Sequence, residues 1–163
     1  MPTESLQLTR PPSTRTGMLV RRPPELVFSA IADPAITTRI WFTKSSGRMV
    51  AGATLRWEWE MYGASSEVSV LEVEENRRIR LTWSGYDPEH PTTVEFLFVP
   101  WKDGTTYVEV TETGFTGDGD TQVQRVADST QGFTFLLSSL KALVEQDVEL
   151  NLVLDAHPAG LQV

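Results

Sequence analysis

Leu55-Arg56-Trp57-Glu58-Trp59-Glu60-Met61 alternates without a break between apolar and charged side chains. Successive side chains of a strand point to opposite faces, so Leu55, Trp57, Trp59 and Met61 share one face, and Arg56, Glu58 and Glu60 share the other. The tryptophan face needs cover, while Glu58 and Glu60 are expected in solvent. Tyr62-Gly63-Ala64-Ser65 carries the residues of a turn and ends the strand. Further along, the same period of two returns in Glu67 to Val73, in Ile79, Leu81 and Trp83, and in Val94, Phe96 and Phe98. It returns once more in Thr106 to Thr113, after the turn Lys102-Asp103-Gly104. Consecutive strands with short turns predict an antiparallel meander.

On either side of the meander the period is helical. Before it, Met18 and Val20 mark a half-buried strand from Thr16 to Arg22, and Pro23-Pro24 ends that strand and presets a helix start. Leu26, Val27, Ala30 and Ile31 carry a short helix to Asp33-Pro34, where a second holds Ile36, Ile40 and Trp41. After the meander, Val123, Val126, Ala127, Thr130, Thr134, Leu137, Leu140 and Val144 form one stripe of about six turns, widened by Phe133 and Leu136. A helix with that stripe must lie on the sheet. Residues 1 to 14, with three prolines, read as a flexible lead or an arm over the surface. Residues 15–147 read as the core and 148–163 as a C-terminal tail, all within one domain spanning 1–163. The tail alternates at Val148, Leu150, Leu152 and Leu154, which suits an extended piece or irregular helix equally.

A chain of 163 residues, 40% hydrophobic, can bury roughly 70% of its unfolded surface in one core. Its formal charge of -8 opposes nucleic acid and anionic membrane surfaces, since Arg21-Arg22 and Arg77-Arg78 are too short for a basic patch. No stretch approaches the roughly 18 consecutive apolar residues of a span, so no stable membrane insertion is expected. The absence of cysteine excludes disulfides, thiolate metal sites and a cysteine nucleophile, and suits a cytoplasmic protein. His90 and His157 lie far apart, with no metal-binding spacing, so neither a metal nor another cofactor is expected and both histidines read as surface residues.

Three stretches resemble the homologue family of the heat shock protein 90 ATPase activator, within the START-like (SRPBCC) superfamily. One is Pro24-Glu25-Leu26-Val27-Phe28-Ser29-Ala30-Ile31-Ala32-Asp33-Pro34 with Trp41-Phe42. Another is Asp103-Gly104-Thr105-Thr106 leading to Thr111-Glu112-Thr113-Gly114-Phe115. The third is Gly132-Phe133 with Leu137, Leu140 and Lys141, where the family more usually has Gly-Trp. They span about residues 18 to 147 in the family's order. The resemblance implies an α+β helix-grip fold, in which a curved six- to seven-stranded antiparallel sheet wraps around a long C-terminal helix, with two short helices after the first strand. It also implies a cavity between sheet and helix. Function transfers less directly, because this superfamily hosts lipid carriers, cyclases, hormone receptors and co-chaperone modules.

The candidate ligand-binding set is therefore Trp41, Trp57, Trp59, Trp83, Phe96, Phe98, Phe115, Phe133 and Leu137, with Glu112 as a polar handle. Wide flat side chains on a concave sheet leave space that aliphatics would fill, though each is equally at home in a plain core. Thr106, Val108, Val110 and Glu112 share a face, so inward valines imply an inward Glu112, which would need a partner. The alternative is a strand-end carboxylate reaching solvent or an arginine. A small hydrophobic or amphipathic ligand bound without catalysis is the first expectation. A cyclase- or lyase-type enzyme using Glu112 or Tyr62 is the second, and a co-chaperone or regulatory domain, with a chaperone partner or a homodimer, is the third. Gly114, Gly117 and Gly119 read as a mobile lip of the cavity. Gly132, which costs a helix roughly 1 kcal/mol relative to Ala, implies close packing on the sheet or local give beside a ligand.

Overall fold

The structure, a computed structural model, describes residues 4–162; the first three residues of the expected lead and the last of the tail fall outside them. Among the described residues the elements run β1 (Thr14–Val20), α1 (Pro24–Ala32), α2 (Pro34–Thr37), β2 (Lys44–Ser45), β3 (Thr54–Trp59), β4 (Ala64–Glu74), β5 (Arg78–Trp83), β6 (Thr92–Trp101), β7 (Thr105–Thr113), α3 (Gly119–Gln146) and α4 (Leu152–Asp155). The seven strands form one antiparallel sheet in the order β1-β7-β6-β5-β4-β3-β2. Strands β2 to β7 are the meander, and β1 closes it by pairing with β7 from Thr14↔Glu112 to Val20↔Thr106. The helix-grip architecture implied by the sequence is the one observed.

Each strand puts alternate side chains inward: Leu55 and Trp57, Val68 and Val70, Ile79 and Leu81, Val94, Phe96 and Phe98, and Val108 and Val110 are all buried. In β4 the register slips between Val70 and Glu72, leaving Leu71 unpaired and exposed. One extra residue bends a strand and reverses its parity, so Val73 turns in and the sheet curves. Helix α1 starts on Pro24 at its first turn and closes one end of the sheet, with Phe28 edge-on to Phe98 at 5.4 Å. Asp33 caps α2 through the Ala35 amide, and Thr37 donates to the Ile31 carbonyl, which aims Trp41 and Phe42 into the interior.

Helix α3 lies along β1, where Thr14 and Thr16 bond Thr130 and Thr134 at 3.2 and 3.1 Å. Its C-terminal end is held by Lys141, which donates to the Leu19 carbonyl and to Glu145, while Glu145 accepts the Arg21 amide. The observed helix face differs from the expected stripe at its start: Val123 and Ala127 are exposed, and burial begins at Ser129. The first residues of the helix meet the N-terminal arm, with Leu6 donating its amide to Asp120 and Ser5 accepting the Asp120 amide, and β1 first reaches the helix where Thr14 bonds the Val126 carbonyl. A Cβ at Gly119 would sit 1.7 Å from the Leu6 carbonyl oxygen, so this contact needs glycine. No helix among the described residues is long and apolar enough to cross a membrane.

Candidate functional site

Between β3–β5, the middle of α3 and the tail lies a cavity of about 520 Å³. Strand parity brings Trp59, Ser66 and Trp83 to its floor, and Trp41 enters from the segment after α2. Ser129, Gly132 and Phe133, on one face of α3, form the roof, and Gly85 and Tyr86 of the β5–β6 loop form one rim. Tyr62, Val153, Ala156 and His157 close the remaining side. A second hollow of about 240 Å³ adjoins it beneath the tail, sharing Trp41 and Val153.

Four of the expected aromatics meet in this wall. Trp41 lies 6.0 Å from Trp59, 5.7 Å from Trp83 and 5.7 Å from Phe133, centre to centre, with tilted or edge-on rings. The others are core. Trp57 is fully buried and stacked on Phe42 at 4.6 Å, and Phe96 backs Trp41 and Phe133 from beneath. Phe98 packs on α1 at the far end of the sheet, and Leu137 sits one turn beyond Phe133 with no exposed surface. Phe115 is buried 6.1 Å from Tyr86, outside the wall. Parity assigns a face to these residues, but on α3 the cavity is bordered only between Asp128 and Phe135.

Glu112 points inward with Val108 and Val110 and is completely buried, so it neither reaches solvent nor meets an arginine. Trp83 donates its indole N–H to Oε2 at 2.8 Å, Thr92 donates its hydroxyl to the same oxygen, and Ser129 donates to Oε1. The carboxylate thus sits behind the wall and ties β5, β6 and α3 to β7. Its partners were available to sequence reasoning: Ser129 lies one helical turn before Phe133, and a buried carboxylate demands donors. Tyr62 lies in the wall and donates its hydroxyl to the Val153 carbonyl.

One expectation about glycines is corrected, and of the two readings of Gly132 one is excluded. No residue of the segment Gly114 to Asp120 lines the cavity, because that loop is bound to Arg125 through the Thr116 carbonyl at 3.0 Å and to the N-terminal arm. The rim is formed by the β5–β6 loop and the tail. Gly132 is exposed, with nothing within 4 Å of the place a Cβ would take, so it faces open space at the cavity and not the sheet. Sequence reasoning missed Tyr86, Asp128 and Ser129, and it placed His157 on the surface, where it is exposed but also borders the cavity. His90 is exposed and bonded to Asp87 at 2.9 Å. Glu60 is exposed as expected, and Glu58, half-buried, pairs with Lys44 and Arg56.

The family model described as activator of Hsp90 ATPase homolog 1-like protein matches residues 21–145. The chain belongs to this family. Among solved structures, a Staphylococcus saprophyticus protein is 31% identical, with a TM-score of 0.71 over 85% of this chain and 95% of that one. The Aha1 dimer from Colwellia psychrerythraea is 20% identical, with a TM-score of 0.70 over 82% of this chain and 96% of that one. An HSP90 activator from Plasmodium falciparum is 18% identical, with a TM-score of 0.64 over 81% and 95%. These last two establish likeness of fold alone. No sequence among the curated proteins matches the chain. The part of this family member that closes the cavity, Val153 to His157, lies beyond the matched residues.

Proposed function

We propose that this protein binds one small hydrophobic or amphipathic molecule between the sheet and α3, without changing it chemically. The observation that carries this reading is the space of about 520 Å³ walled by Trp41, Trp59, Trp83 and Phe133. That volume is within the range of small-molecule sites, and its few polar groups suit orientation of a ligand. Native mass spectrometry of the purified protein, followed by solvent extraction, is expected to reveal a bound apolar compound. Protein that is free of any compound, and that leaves the fluorescence of an apolar dye unchanged, would remove the reading.

Proton-transfer chemistry of the cyclase or lyase kind has less support. Both oxygens of Glu112 accept hydrogen bonds that hold the fold together, and the Tyr62 hydroxyl is engaged by the tail. A docking reading, toward a chaperone or a second copy, is favoured by one feature: Val99, Trp101 and Tyr107 are exposed together on the outer face of β6 and β7, where Val99 pairs with Tyr107. Sedimentation of the protein alone and with purified Hsp90 tests it. A monomer that forms no complex would set it aside.

A further inference from the structure

Given that the cavity binds a ligand, its wall also carries information about charge. Trp41, Trp59 and Trp83 all border the space and are mutually inclined, with centres 5.7 to 6.2 Å apart. The face of an aromatic ring is the negative part of its quadrupole and attracts cations. The Trp83 ring is further enriched, because its N–H donates to the Glu112 carboxylate at 2.8 Å and so draws negative charge toward the indole.

The fixed charge in the lining of the cavity is negative. Among the described residues Asp128 is its one lining carboxylate, and no lysine or arginine lines it. Asp128 accepts a hydrogen bond from Gln124 at 3.1 Å and makes no ion pair among the described residues. Glu112, behind Trp83 and Ser129, is held by three neutral donors and likewise has no cationic partner. The nearby Arg125 is bonded to Thr116 and lies over Tyr86 at 5.5 Å, outside the lining. His157 is the one lining side chain able to carry positive charge, and it is exposed at the rim. Tyr86 senses the resulting potential: burial first, then the charges of Glu112 and Asp128, push its phenol well above the ordinary value, against the opposing influence of Arg125.

We propose that the ligand is a cationic amphiphile, an amine or quaternary ammonium whose head lies against the tryptophan faces beside Asp128 and whose apolar part fills the rest of the cavity. A carboxylate-bearing lipid of the same shape would place its charge beside Asp128, with His157 at the rim as the one lining side chain able to oppose it.

The test uses the full chain and three probes that share one ring system: (2-naphthylmethyl)trimethylammonium, 2-naphthylmethanol and 2-naphthylacetate, titrated calorimetrically at one ionic strength. The ammonium is expected to bind about tenfold more tightly than the alcohol, with the acetate weakest. Asp128→Asn, at an exposed helix position, should narrow the gap between ammonium and alcohol about threefold. Gly132→Trp, which projects into the cavity from an exposed position, should abolish binding of all three. Alcohol or acetate binding as tightly as the ammonium would overturn the charge preference while leaving cavity binding intact. Ammonium binding that survives Gly132→Trp would place it on the acidic exterior and overturn the proposal too. If no probe binds, the cavity reading falls with it.

Discussion

Glu112 shows how a single residue can serve the fold and the cavity together. Its two oxygens collect donors from β5, β6 and α3 directly behind the cavity wall. Glu112→Gln would set an NH₂ group against a donor and leave at least one of Trp83, Thr92 and Ser129 without an acceptor. A loss of about 1–3 kcal/mol follows, read as a lower urea midpoint at unchanged slope. An unchanged midpoint would mean that these bonds contribute nothing to stability. Trp57 presents the opposite case, since its buried indole N–H has no partner among the described residues. Trp57→Phe keeps most of the stacking on Phe42 and removes an unpaired donor, so it is expected to cost no more than about 1 kcal/mol, against about 3–5 for Trp57→Ala. Equal losses for the two variants would show that the N–H has a partner after all.

At the scale of the element, α3 is pinned at its C-terminal end by Glu145, which receives Lys141 and the Arg21 amide. Burial alone would raise its carboxyl, but the Lys141 hydrogen bond and the Arg21 amide outweigh this and hold it below the ordinary value of 4.5. A depressed carboxyl stabilises the fold above its unfolded value and loses that contribution as the pH falls through the folded one. The stability advantage of the wild type over Glu145→Gln, measured by urea unfolding, is therefore expected to be full at pH 7 and to shrink as the pH drops below about 4.5. A pH-independent difference would rule out the link. Elements were also the level at which the sequence was most readable. Period two placed Val108, Val110 and Glu112 inward together, because a strand has only two faces. The start of α3 was misread because Val123 and Ala127 fit the helical stripe, yet the sheet does not reach them. What meets the helix start at Gly119 and Asp120 is the arm at Ser5 and Leu6, more than 100 positions away in the chain, and no local pattern records such a contact. Nor does periodicity record which inward residues border open space, which is what separates Trp83 in the wall from Phe96 in the core.

For the whole molecule, the decisive question is what closes the cavity. Strands β2 to β7, α1 and all but the last residue of α3 lie within the residues that match the family, whereas β1 and Val153, Ala156 and His157 do not. The tail is held across the opening by the ion pair of Arg39 with Glu149, the Tyr62 bond to Val153 and the edge-on contact of Tyr62 with His157 at 5.9 Å. These are few contacts, at exposed side chains, so the tail is the segment whose detachment costs the fold least. A chain ended at Asp147 is expected to keep cooperative unfolding while exposing Trp41 and Trp59 to solvent. Acrylamide quenching of tryptophan fluorescence measures this, in a Trp101→Phe background that removes the indole exposed on the outer face. Quenching should rise in the shortened chain and rise less in Tyr62→Phe, which loses one bond only. Equal quenching in all three proteins, with folding intact, would mean that the tail does not cover the tryptophans and that the cavity opens by another route, the β5–β6 loop at Gly85 and Tyr86 being the alternative rim.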